Sequence, residues 1–183
     1  MDLITALAVS IGLLGGVATY LYLTVGTIQI WIGFLGWASF YHCGGGNDGL
    51  RNSVIANIWG VVCGFIALLL ITQVNLGIPG VLWASIAVAI CAFVLVIGAK
   101  VEALAAIPAA VYGYAAVAGY GLLSGASLTD INLANPLICA VVSIVIGNIF
   151  GIASEKLAGV MKSGEYPYFN QQVTASLFVV PTI

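Results

Sequence analysis

Few side chains in this sequence could do chemistry, and their positions narrow the choices. His42 is the one histidine, and Asp48, Glu102, Asp130 and Glu155 all sit at the rims of apolar runs, never inside one. A nucleophile therefore has no base beside it. A proton relay or cation site likewise lacks the carboxylate it needs within the run. Enzymatic and ion-pumping functions are disfavoured on this ground. The four cysteines, Cys43, Cys63, Cys91 and Cys139, lie in or at the end of apolar stretches, where a thiol behaves as a small hydrophobe. The adjacent pair His42 and Cys43 diverges on a helix, so neither a metal nor another cofactor is expected. The polar groups deep inside the runs are neutral: Asn57, Asn148, Ser143, Tyr112, Tyr114 and Tyr120, with Trp37 and Tyr41 one helical turn apart. An aperture with aromatic walls and a few amide or hydroxyl partners suits small uncharged solutes and gives hydrated ions nothing to replace their water. Trp37, Tyr41, Asn57, Tyr112 and Asn148 are the candidate lining residues, and the solute class is urea-like amides, acetic or formic acid in neutral form, ammonia or water. The competing reading makes the aromatics membrane-interface anchors, which fits Trp31, Trp83 and Tyr20 best. His42 is either a pH-sensitive gate or a polar residue closing the end of its helix.

The elements that must position these groups follow from composition. With 62% hydrophobic and 5% charged residues, the chain falls far from the roughly 25% charged content of soluble domains. A water-soluble globule is excluded. A net charge of −2 without a basic run leaves nucleic-acid binding without its electrostatic source. Apolar runs extend from Leu3 to Gly26, Ile28 to Cys43, Asn52 to Val74, Ile78 to Gly98, Val101 to Leu123 and Leu133 to Ser154. Five reach the ~20 residues that cross ~30 Å of hydrocarbon. The second, with 16 residues, covers only about 24 Å, so it must be locally accommodated, completed by Gly44-Gly45-Gly46, or broken. The first run lacks a positive leading region and a cleavage site and reads as a retained span. No alternating pattern of a membrane barrel is present. The expectation is an all-α membrane protein of six transmembrane helices over residues 1–160, with helices 2 and 5 short or interrupted, and a cytoplasmic tail over 161–183.

The basic residues give an independent check on that count. Arg51 follows the second run, Lys100 the fourth, and Lys156 and Lys162 the sixth, so with six crossings all four share a side with the termini. The loops at Thr27, Asn75 and Asp130 carry none. Cations are retained in the cytoplasm, which predicts that both termini are cytoplasmic.

Runs one to three resemble runs four to six coarsely. The second and fifth are the irregular members, and the third and sixth carry Gly60-x-x-x-Gly64 and Gly147-x-x-x-Gly151. Because three crossings reverse the direction of the chain, a second copy would be an inverted repeat, an arrangement that frames solute paths near the bilayer midplane. Gly12 and Gly16 add a small-residue stripe on the first run. Such stripes allow helices to approach closely, within a protomer, between protomers or along a path. Six helices make a thin bundle, so a homo-oligomer in the lipid bilayer is expected.

One stretch carries a family likeness: Trp31, Gly33, Phe34, Gly36, Trp37, Phe40, Cys43, Gly45, Gly46, Gly49 and Leu50, then Gly98-Ala99-Lys100, Pro108, Gly119 and Gly147-x-x-Phe150-Gly151. From Leu3 to Lys162 the chain resembles the small bacterial inner-membrane proteins grouped as domain of unknown function 1097. The resemblance implies a location in the bacterial inner membrane and transfers no chemistry. In size and helix count the chain is also similar to the hexameric urea and acetate channels. That likeness is architectural, because Asn135-Pro136 is only a fragment of the acetate family's Asn-Pro-Ala-Pro motif.

Overall fold

The computed structural model describes residues 1–161 of the 183-residue chain, and the expected tail beyond Met161 lies outside the described residues. Six α-helices account for most of it: α1 (Leu3–Val25), α2 (Ile30–His42), α3 (Gly46–Gln73), α4 (Gly80–Ile97), α5 (Ile107–Ser124) and α6 (Pro136–Met161). Among the described residues there is no strand, and five of the six helices are long and apolar enough to cross a membrane. The exception is α2, whose 13 residues span about 20 Å at the usual rise. The chain is a multi-pass helical membrane protein.

Three boundaries differ from those drawn on hydropathy. Expected to start near Val101, α5 begins at Ile107, and single 3-10 turns at Gly98–Lys100 and Glu102–Leu104 fill the interval. Proline explains this: Pro108 is tolerated in the first turn, where its missing N–H costs nothing, and would break a helix already about two turns old. A second difference is that α3 starts at Gly46, six residues ahead of its apolar run, because a polar first turn can be helical once its amides find acceptors. At the other extreme, α6 continues through Lys156 to Met161. The start of α1 is set locally. Asp2 accepts from the Thr5 amide at 3.0 Å and from its hydroxyl at 2.6 Å. Those two bonds hold its carboxyl below the ordinary carboxylate range.

Contacts between helices fix their directions. The hydroxyl of Tyr22 reaches the Ser143 carbonyl at 2.5 Å, so the end of α1 lies beside the start of α6. From Gln29, bonded to Ser143, to Tyr41, bonded to Ser154, α2 then runs parallel to α6. In α3 the order is reversed, with Gly46 at Glu155 and Asn57 at Asn148. Trp83 on Leu70 and Trp59 on Leu95 set α4 antiparallel to α3, while Gly60 on Ala110 and Gly64 on Val117 set α5 parallel to it. Successive helices therefore alternate. Arg51, Lys100 and Lys156 fall at one end of the molecule, with the starts of α1, α3 and α5; Asp130 is at the opposite end.

At the centre, α3 and α6 pack against each other, α2 lies on α6, α5 on α3, and α1 and α4 take the outside. The inner faces are small: a Cβ at Gly60 would overlap the Ala110 carbonyl oxygen, and one at Gly147 the Gly33 carbonyl oxygen. The helices there meet backbone to backbone, which is how association proceeds where lipid removes the hydrophobic drive. Ile4, Leu13, Val17, Val81, Ile90 and Phe93 on α1 and α4 point outward, as lipid-facing positions should.

Candidate functional site

Where α2, α3, α5 and α6 converge, four neutral polar side chains are buried together. Ser39, Ser53, Asn57 and Asn148 each have 0% exposure. The Asn148 amide donates to Asn57 Oδ1 at 2.9 Å and to the Ile144 carbonyl at 2.9 Å. The Asn57 amide donates to the Ala109 carbonyl at 2.7 Å and to Ser39 Oγ at 3.1 Å. Ser53, one turn before Asn57, bonds Ser39 at 2.8 Å and makes a short bond to Asn148 Oδ1. Every amide proton is used, and both amide oxygens accept. A cluster so buried could not persist otherwise, since an unpaired amide in an apolar medium costs several kcal/mol, about 2 to 7 by reference state. It carries no charge, and its parts are one donor–acceptor pair of amides flanked by two hydroxyls.

A second knot lies further along α6. The Trp37 indole donates to Ser154 Oγ at 3.0 Å, the Tyr41 hydroxyl lies 2.8 Å from the same atom, and Ser154 donates to the Gly151 carbonyl at 2.7 Å. With the Ser154 proton on Gly151, Tyr41 is the donor in its pair. Phe150 and Phe34 each stack on Trp37, at ring separations of 5.7 and 6.0 Å. Beyond this knot comes the start of α3. Gly44, Gly45 and Gly46 take φ values of 92°, 70° and 64°, left-handed backbone that glycine adopts without a steric penalty. The reversal brings the Gly46 amide 2.8 Å from Glu155 Oε2, so a carboxylate on α6 satisfies the first turn of α3.

Of the five residues expected to line a path, Asn57 and Asn148 meet directly, and Trp37 and Tyr41 meet through Ser154. Tyr112 stands apart: its hydroxyl is 3.5 Å from Nδ1 of His42, with the two rings edge to face at 6.1 Å. His42 itself ends α2 at the exposed rim. Gly60, Gly64, Gly147 and Gly151 all face a neighbouring helix at close approach, whereas a Cβ at Gly12 or Gly16 would meet nothing of this chain within 4 Å. Two participants escaped sequence reading. Ser39 gave a signal, being the one serine within the short α2, but nothing in its spacing linked it to Ser53. Glu155 looked like a rim charge because its acceptor role depends on a loop far away in sequence.

Two cavities of about 390 Å³ each open at the Asp130 end. One lies over Trp83 and the α3–α4 connection; the other lies between Leu68 on α3, Gly121 on α5 and the α5–α6 connection. They share Thr72 and Gln73. Between the second cavity and the amide cluster stands an apolar layer that includes Ile32, Val61, Val117 and Ile144.

The model for a family described as protein of unknown function, DUF1097, matches residues 8–159. The chain belongs to the DUF1097 family. Neither a curated protein nor a solved structure matches the chain. In this DUF1097 member the match spans all six helices, so the amide cluster, the Ser154 knot and the Glu155 contact all fall within the matched residues.

Proposed function

We propose that this chain is a membrane facilitator for a small neutral or weakly acidic solute, with the Asn57–Asn148 pair as the stopping place of the solute on its way through. The observation that carries this reading is the pairing itself. A solute offering one donor and one acceptor, such as a urea-like amide or a protonated carboxylic acid, can replace either asparagine in the other's hydrogen bonds at little net cost. Ions gain nothing there, because no charge compensates their lost water. The reading is of transport rather than catalysis, through the α3–α6 seam. The end bearing Arg51, Lys100 and Lys156 is the cytoplasmic one in the bacterial inner membrane, on the rule that cations are retained inside. The active form is a homo-oligomer.

Stopped-flow measurement on reconstituted vesicles tests this with urea, formate, acetate and glycerol. At least one should equilibrate faster than in protein-free vesicles, and the gain should vanish in Asn148→Val. No enhancement for any of the four rejects the proposal. A second reading, an accessory subunit of a larger complex, draws on Gly12, Gly15 and Gly16, around which this chain leaves open space on α1. Purification in mild detergent separates the two, since an accessory subunit brings a different protein with it and a facilitator runs as a self-assembly.

A further inference from the structure

Contacts along the α3–α6 seam come in matched pairs. One constant shift in numbering carries α2 onto α5, taking Ile30 to Ile107, Gly36 to Gly113, Trp37 to Tyr114 and Phe40 to Val117. Another carries α3 onto α6, taking Gly60 to Gly147, Gly64 to Gly151 and Leu68 to Glu155. Under these shifts the close approaches exchange. Gly60 on Ala110 becomes Gly147 on Gly33; Gly113 on the Asn57 carbonyl becomes Gly36 on the Ile144 carbonyl; Gly64 on Val117 becomes Gly151 on Phe40. The outer helices obey the same exchange, α1 lying on α6 as α4 lies on α3. An abundance of glycine explains glycines at matched positions, but it does not explain why their partners match as well.

The two ends nevertheless differ. At the Asp130 end, Leu68 lies against Gly121 at the floor of an open cavity of about 390 Å³. At the Arg51 end, the matched residue Glu155 reaches over and bonds the Gly46 amide. We infer that the chain is two inverted halves whose shared packing differs only at its two ends, and that it alternates between this state and one in which the ends exchange roles: the cavity at the Asp130 end closes as Glu155 leaves Gly46 and the Arg51 end becomes more accessible. Two halves that can make the same set of backbone contacts in either role have two packings of similar energy, and a modest bias selects between them. The inference rests on the facilitator reading for its purpose, but its test needs no solute. Loss of flux and loss of alternation are thus separately visible.

Thiol labelling with N-ethylmaleimide, read peptide by peptide by mass spectrometry, decides it. Cys43 is a natural, half-buried reporter at the Arg51 end, and Cys63, Cys91 and Cys139 are buried controls for general loosening. Thr72→Cys reports on the cavities. Glu155→Ala should raise Cys43 labelling several-fold and lower that of Thr72→Cys, with the buried thiols still protected. Glu155→Gln, which keeps an oxygen for the Gly46 amide, should behave as the parent. From the opposite end, Ala126→Trp fills the cavity without touching Glu155 and should also raise Cys43 labelling. The inference is overturned if Thr72→Cys stays constant or rises together with Cys43, or if Ala126→Trp leaves Cys43 unchanged.

Discussion

Two layers of side chains face each other across the middle of the molecule, one turn apart on both central helices. One is Asn57 with Asn148; the other is Val61 with Ile144. Around the first stand Ser39 and Ser53, and at the matched positions around the second stand Ala116 and Ala140. Backbone contacts beneath the two layers are the same, glycine on carbonyl in each. The apolar layer shows that this seam can be filled without a single polar atom. The amides are therefore not demanded by packing, and their desolvation cost is borne for another reason. Architecture resides in the glycines, and the two layers differ only in the side chains laid over them.

The largest effect expected from breaking this comparison is at the glycines. Gly60→Ala and Gly147→Ala should each destabilise the protein by about 3 kcal/mol, since the added Cβ meets backbone that cannot move aside. Gly12→Ala, with open space around it, should be neutral or slightly stabilising. Thermal inactivation in detergent, followed by the monodisperse fraction on size exclusion, measures all three; unequal losses at Gly60 and Gly147 would weaken the equivalence of the halves. A smaller effect follows from making the layers alike. Asn148→Val alone should cost about 1 to 2 kcal/mol by stranding Asn57 and Ser53. Asn57→Ile combined with Asn148→Val, which copies the apolar layer, should recover much of that stability while abolishing solute flux. A double variant that still conducts would remove the amides from the path. The smallest effect is a gain. The Tyr114 hydroxyl is buried without a hydrogen-bond partner among the described residues, and at its matched position Trp37 uses Ser154, where the other half has Ala67. Ser154→Ala should cost about 1 kcal/mol, and Ala67→Ser should stabilise by about 0.6 kcal/mol by giving Tyr114 an acceptor. The same melting measurement reads both signs.

Much of this was legible in the sequence because lipid imposes simple demands. Apolar length gave the six helices and the reversal at each connection gave their alternation, whereas the four-residue glycine spacing falls at close contacts on α3 and α6 and at open space on α1. Helix ends were less legible. Hydropathy cannot see that Gly46 to Arg51 is helical, because that turn depends on an acceptor supplied by Glu155, 109 positions away. It also misplaces α5, whose start is governed by one proline rather than by polarity. Asn57 and Asn148 stood out as amides within apolar runs, but their meeting required α3 and α6 to be antiparallel at one particular register. Tyr112 shared the aromatic character of Trp37 and Tyr41 and lies on a different face, beside His42. Composition alone does not assign a helix its rotation.

The short α2 has a consequence for how the protein is made. Its inner face, with Trp37, Ser39 and Tyr41, finds its hydrogen-bonding partners on α3 and α6, and α6 leaves the ribosome after the other five described helices. Until then α2 is too short to settle across the bilayer by itself, and its Trp37 indole and Tyr41 hydroxyl lack their Ser154 partner. Biogenesis must therefore keep the first three helices waiting beside the translocon for the sixth. Chains truncated before α6 should be the natural targets of membrane quality-control proteases.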